Sequence, residues 1–407
     1  MNRREWLAVG AMSLARPARA LAAQDMERSA LERRVAELVQ EFSDQGAHRT
    51  ATDVDRRSAD WLGARISQRG LAPALESFSL SRVDPVEAAL TIGARRVQGI
   101  PLFDAAFTDG AGVSGRLGPL DGDAEIGLAE TAPNQSAAGP LGAARRANRH
   151  RAIVCITKGR RPGLCPSNAD LFLQPFGPPV LQVSSDEAAW LAEQATAGAQ
   201  VRLIAQVKRT TASAVNVTTR IAGADSSLPP VVIMTPRSGW YACASERGGG
   251  IVCWLELMRT LKGGRPARDI VFVASSGHEL GHLGINAFVD ARPGIVKNSA
   301  GWMHFGANIG AATDPANTVQ ASDDAFEARL TTEMAPAGLT VDRRVPRGTV
   351  PSGEAEVVHR GGGHYVSVIG RNALFHNPED RGATTVDPVV IARFVDAFTS
   401  MARALAG

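Results

Sequence analysis

The chain has 407 residues, 44% of them hydrophobic and 21% charged, with 44 Lys+Arg against 41 Asp+Glu. That balance excludes a disordered chain, and the length admits one large α/β domain or two to three smaller ones. No basic run is sustained beyond the N-terminus, so nothing in the charge pattern supports nucleic acid or a membrane surface as a partner.

At the N-terminus, Asn2-Arg3-Arg4-Glu5-Trp6-Leu7 sets paired arginines before an apolar stretch over residues 6–14. Ala20-Leu21-Ala22-Ala23 then offers small residues for cleavage before Gln24. This layout predicts a twin-arginine export signal over residues 1–23 and a periplasmic protein. The apolar stretch is too short for a permanent spanning helix, so no stable membrane anchor is expected.

Residues 26–42 predict an amphipathic helix with Leu31, Val35, Leu38 and Val39 on one face, and residues 53–68 a second. Short strands are expected over 74–80 and 87–92, then loops around short strands over 109–148. From Ala152 the pattern sharpens into strands 152–157 and 179–183, a helix 184–197 capped by Ser184, and a strand 201–207. Strands 215–221 and 231–234, a helix 250–261, a strand 269–274 and a helical segment 283–290 follow. Such alternation predicts an open, mainly parallel sheet with helices on both faces. The expected division is an α/β domain from 24–84 and 212–407, interrupted by a β-rich unit over 85–211.

Four cysteines, Cys155, Cys165, Cys243 and Cys253, lie in two pairs of ten-residue spacing. That is not the tight spacing of a structural zinc site. It allows a Cys155–Cys165 loop closure, whereas Cys253 falls in a helix where a packed free thiol is the commoner state.

In open α/β sheets, ligands sit where strands end and loops begin. Three such places hold reactive residues: Thr235-Pro236-Arg237-Ser238 after a strand, Ser245-Glu246-Arg247-Gly248-Gly249-Gly250 at a helix start, and Ser275-Ser276-Gly277-His278-Glu279-Leu280-Gly281-His282 after another strand. The glycines let backbones approach closely, and helix-start N–H groups favour an anion. The third segment contains His-Glu-x-x-His, the zincin pattern, in which two histidines one helical turn apart share a zinc and the glutamate is the base. Here it begins directly after a strand and a Ser-Ser-Gly turn, where a zincin would have it within a helix. Ile285 and Phe288 stand where the extended version has glycine and histidine.

The strand, Gly277, the polar pair 278–279 and Leu280-Gly281-x-Leu283-Gly284 resemble the catalytic segment Glu-Glu-Leu-Gly-x-x-Gly of the di-zinc aminopeptidases, a family that includes the glutaminyl cyclases. His376-Asn377-Pro378-Glu379-Asp380 is similar to its His-x-Pro-x-Asp signature, and Gly46-Ala47-His48-Arg49-Thr50 to its entry segment. Gly177-Pro178-Pro179-Val180-Leu181 and Asn216-Val217 resemble its protease-associated insert. The resemblance implies a zinc-exopeptidase fold, two zincs on five protein ligands, and the first glutamate of the pair as base.

Carried over residue by residue, the ligand histidine falls on Pro236 and the second-metal aspartate near Ala307, neither of which binds metal. The bridging aspartate falls on Glu246, the base on His278, the ligand glutamate on Glu279 and the last histidine on His376. The resemblance thus implies one zinc on Glu246, Glu279 and His376 with an open fourth position, and His278 moving the proton with an ordinary pKa near ~6.5. His282 and His304 are further candidate ligands, and His359 and His364 lie in a nearby loop. Three functions stay open. One is an exported single-zinc, aminopeptidase-like hydrolase of peptides or small amides. Another is an inactive relative that binds a peptide or carbohydrate. The third is a zincin endopeptidase using His278, Glu279 and His282.

Overall fold

The computed structural model describes residues 25–407, so the expected export signal over residues 1–23 lies outside the described residues. Helix α1 covers residues 25–43, followed by α2 (Asp53–Gln68) and the long strand β1 (Ala74–Ile92). Then come β2 (Arg95–Pro101), β3 (Val113–Pro119), β4 (Ile126–Thr131), α3 (Gly139–Ala147), β5 (Ala152–Thr157), β6 (Val180–Ser184), α4 (Ala188–Thr196) and β7 (Gln200–Ile221). The rest alternates: β8 (Val231–Pro236), α5 (Ala244–Leu261), β9 (Ile270–Ser275), α6 (Leu283–Asp290), β10 (Gly301–Phe305), β11 (Ala316–Ala321), α7 (Asp324–Met334), β12 (Arg343–Arg344), α8 (Ala355–Arg360), β13 (Tyr365–Arg371) and α9 (Pro388–Ala406).

The expected α/β architecture, a mainly parallel central sheet with a β-rich insert, is present. Strands β9, β8, β10 and β13 run parallel, with β7 and β11 antiparallel at either side. All six residues of β8 are buried, as a strand covered by helices on both faces requires. On one face α1, α2, α5 and α9 pack through Val35, Phe42, Leu62, Trp254, Phe394 and Phe398 into the main core. Glu256 of α5 is fully buried and neutralised by three arginines: Arg34 at 3.0 Å, Arg69 at 3.3 Å and Arg259 at 2.7 Å.

Two pairs of expected short strands turn out to be single long ones. The 74–80 and 87–92 segments join as β1, and 201–207 and 215–221 join as β7. The polar residues between them do not break the strands because β1 and β7 pair antiparallel along their whole length, from Ala74 opposite Thr218 to Ile92 opposite Val201. A register shift between Pro85 and Glu87 absorbs the proline. Past it, the order β1-β2-β6-β5-β4-β3-β7 closes on itself through the β1–β7 ladder, so the insert is a ring of strands around its own core. The 109–148 stretch holds β3 and β4 as expected, and also the unforeseen α3. All four cysteines are buried free thiols, Cys155 and Cys165 included. No helix among the described residues is long and apolar enough to cross a membrane.

The entry segment is pinned by His48, which is fully buried and stacks on Phe42 with ring centroids 3.8 Å apart. Its Nε2 donates to the Phe42 carbonyl at 2.9 Å while Nδ1 has no partner. Burial pushes its pKa down from 6.5 to about 3. The folded state therefore prefers neutral His48. That preference contributes fully above pH 6.5 and is lost as pH falls towards 3, by about 3 kcal/mol between pH 7 and 4.5. Urea unfolding at both pH values should show a larger acid loss in the wild type than in His48→Gln. Equal losses would mean that His48 is not held neutral.

Candidate active site

The reactive residues gather at the C-terminal ends of β8, β9, β10 and β13. Helix α5 begins at Ala244, six residues before the expected start, because its three glycines are helical and serve close packing. Cys243 in the left-handed region (φ 51) turns the chain into it, which puts Glu246 and Arg247 in the first turn, fully buried. The anion expected at this helix start is supplied internally. Asp380 accepts from the N–H of Ser245 at 2.8 Å, from that of Glu246 at 3.0 Å, and from the Ser245 hydroxyl at 2.6 Å.

Glu246 Oε1 lies 2.7 Å from Arg247 Nη2 and 3.5 Å from His376 Nε2. The Arg247 charge and His376 hold the Glu246 carboxyl well below the ordinary range although burial opposes this. Arg247 Nε donates to the Ser238 carbonyl at 2.8 Å. His376, at φ 55, donates from Nδ1 to the Pro166 carbonyl at 2.6 Å and presents Nε2 to Glu246. Both Glu246 oxygens, both Arg247 Nη atoms and His376 Nε2 are buried without a well-formed hydrogen bond.

Glu279 is turned elsewhere. Its Oε1 accepts from the Thr50 N–H at 2.6 Å and its Oε2 from the Ser238 hydroxyl at 2.7 Å. The structure therefore brings Glu246 and His376 together, but it employs Glu279 in joining the entry segment to the β8 and β9 turns. The carboxylate does not point to the histidines of the His-Glu-x-x-His motif.

That motif occupies a short 3-10 turn at 278–280, between Gly277 (φ 84), Gly281 (φ 74) and His282 (φ 60). The three left-handed residues coil the chain so that the His278 and His282 rings lie 5.2 Å apart without a helix between them. His278 Nδ1 donates to Glu354 Oε1 at 2.8 Å, and His304 Nε2 to Glu354 Oε2 at 3.1 Å. Ser367 Oγ is 2.8 Å from His304 Nδ1 and also accepts from Gln320 Nε2 at 3.0 Å. Ligand atoms of His278, His282 and Glu354 all lie within 4.8 Å of one another. Burial and the Arg247 charge push the His278 pKa down to about 4, so its imidazole is neutral at neutral pH. This is lower than the ~6.5 expected of a proton shuttle.

Glu354 carries no motif and escaped sequence reading. Only its position after Gly353 hints at a constraint: that glycine has φ 72, and a Cβ there would meet His304 Cε1 at 2.8 Å. His359 pairs with the Tyr365 hydroxyl at 3.3 Å and His364 with Asp323 at 2.9 Å, so neither joins the cluster. The insert covers the site through its β5–β6 loop. Besides the Pro166 contact, Ala169 N–H donates to the Glu279 carbonyl at 2.9 Å, and Asn168 Oδ1 accepts from Trp240 Nε1 at 3.1 Å.

Several solved structures share this architecture. BSAP, a zinc aminopeptidase from Bacillus subtilis, aligns with a TM-score of 0.75 at 17% identity, covering 91% of this chain and 94% of that one. A Peptidase M28 precursor from Shewanella amazonensis gives 0.73 at 14%, covering 94% and 96%. An aminopeptidase from Aneurinibacillus sp. strain AM-1 gives 0.66 at 15%, covering 91% and 92%. No family pattern and no curated protein matches the chain in sequence. At such identities the likeness is one of fold: this chain has the α/β fold of the zinc aminopeptidases, as its sequence resemblance implied.

Proposed function

We propose that this chain, built on the fold of the zinc aminopeptidases, is an exported hydrolase that uses a single zinc to cleave peptides or other small amides. The observation that supports this reading best is a buried convergence of incompletely hydrogen-bonded polar groups at the C-terminal end of the sheet. Glu246, Arg247 and His376 carry buried atoms without well-formed hydrogen bonds there, and His278, His282 and Glu354 stand nearby as metal donors. Buried polar atoms left unpaired are uncommon away from sites that bind something. Backbone strain points the same way: Cys243, His282, Asn308 and His376 all hold left-handed φ around this spot.

A bound zinc would lower the pKa of a water or polarise the amide carbonyl. The residues present fit it unequally. Glu246 is already neutralised by Arg247, and Glu279 is engaged by Thr50 and Ser238. The two imidazoles and the carboxylate of His278, His282 and Glu354 make a donor set that suits zinc. The chain's own contribution is a fixed guanidinium beside the site and a loop of the insert bonded over it.

A second reading, an inactive relative that binds a peptide or carbohydrate, is favoured by Pro236 and Ala307, which offer no ligand, and by the Glu246–Arg247 pair. Elemental analysis of the purified protein beside a hydrolysis screen of aminoacyl and peptidyl amides separates the two. Hydrolysis abolished by chelation and restored by zinc is the expected result. Metal-free protein that binds peptide without turnover would replace the first reading with the second.

A further inference from the structure

We infer that the metal site is displaced: one divalent transition metal is held by His278, His282 and Glu354, with His304 positioning the carboxylate, while the Glu246–Arg247 pair keeps a second cation away. This rests on the proposal that the protein binds metal, and it assigns the ligands.

The donor chemistry is two imidazoles and one carboxylate, which leaves a coordination position for water or substrate. Adjacent ligands of a tetrahedral zinc lie about 3.3 Å apart when its bonds are about 2.0–2.1 Å. Here His278 Nδ1 and Glu354 Oε1 are 2.8 Å apart, and all three donors fall within 4.8 Å, so modest side-chain rotation closes them on an ion. The carboxylate is preoriented. Its second oxygen is bound by His304, which Ser367 and Gln320 hold in turn, and such outer partners are what tune and fix a ligand. His282 is only partly buried, which gives an ion and a substrate a way in.

The neighbouring position is closed to a cation by charge. Arg247 is fully buried with Nη2 at 2.7 Å from Glu246 Oε1. A guanidinium fixed there repels a metal and neutralises the charge of the carboxylate that would have bound it. The arrangement thus uses the histidine spacing of a zincin, on a turn and not a helix, with a third ligand from a distant loop.

The test is equilibrium dialysis of the full-length mature protein against Zn²⁺, and against Co²⁺ with visible absorption as the second readout. We expect about one metal per chain and the intense visible bands of low-symmetry Co²⁺. His282→Ala and Glu354→Gln should each lower metal affinity at least ~10-fold, whereas His376→Asn should bind as the wild type does. His304→Gln should bind more weakly and shift the cobalt bands. Circular dichroism checks that each variant is folded; should Glu354→Gln fail to fold, the partly exposed His282 decides the matter. Loss of metal in His376→Asn with retention in His282→Ala would overturn the assignment, as would no binding by the wild type. Metal bound as assigned but without amide hydrolysis would sink the proposed function and leave the site standing.

Discussion

Gly249→Ala is expected to destabilise the protein by at least about 4 kcal/mol, at the extreme end of single substitutions. A Cβ on Gly249 would lie 1.8 Å from the Ile309 carbonyl oxygen and 2.9 Å from its carbon, both backbone atoms. The loop that carries Ile309 cannot retreat. On its far side a Cβ at Gly370 would meet the Asn308 oxygen at 1.9 Å, and the Asn308 N–H is bonded to the Glu246 carbonyl at 2.9 Å. Helix α5 would have to move bodily, against a core that is already close-packed. Gly263 is the control: a Cβ there meets nothing within 4 Å, so Gly263→Ala should change stability by less than about 1 kcal/mol. Urea unfolding of the two variants checks this. Curves that coincide would show that α5 and the 305–310 loop do not approach each other as described.

The glycine run illustrates what was legible in the sequence and what was not. That Gly248-Gly249-Gly250 serves close backbone approach could be read directly. That the approach happens inside a helix could not, because glycine lowers helix propensity and only the tertiary contact explains its use there. The alternating strands and helices after Val215 were readable because buried parallel strands are continuous apolar runs. The long β1 and β7 were not, since their polar middle residues are stabilised by pairing with each other rather than by any local pattern. The candidate site divides in the same way. His278 and His282 stand out through motif spacing after a strand end, and Glu246 and His376 through the resemblance to the di-zinc aminopeptidases. Glu354 is brought in by topology, from the start of α8 50 residues beyond the partner His304, and no motif marks it. The engagement of Glu279 by Thr50 and Ser238 is likewise a contact between distant segments that spacing does not encode.

The Glu246–Arg247 pair decides whether the position beside the histidine cluster can take a cation, and a double-mutant cycle tests it. Arg247→Met alone should cost about 3–5 kcal/mol, because it leaves the Glu246 carboxylate buried with no cation beside it. Glu246→Gln alone should cost a similar amount, since the Arg247 guanidinium would keep only its bond to the Ser238 carbonyl. In the double variant neither charge remains to be desolvated, so the loss should fall short of the sum by at least about 2 kcal/mol. Unfolding of all four proteins should be measured with and without a chelator. If the pair is a self-contained neutral unit, the coupling is the same in both conditions. A coupling that appears only in the chelated protein would mean that a metal normally holds Glu246, with the guanidinium taking over when the ion is removed. A coupling near zero in both would mean that the two side chains, though adjacent in sequence and 2.7 Å apart, are each held by other groups.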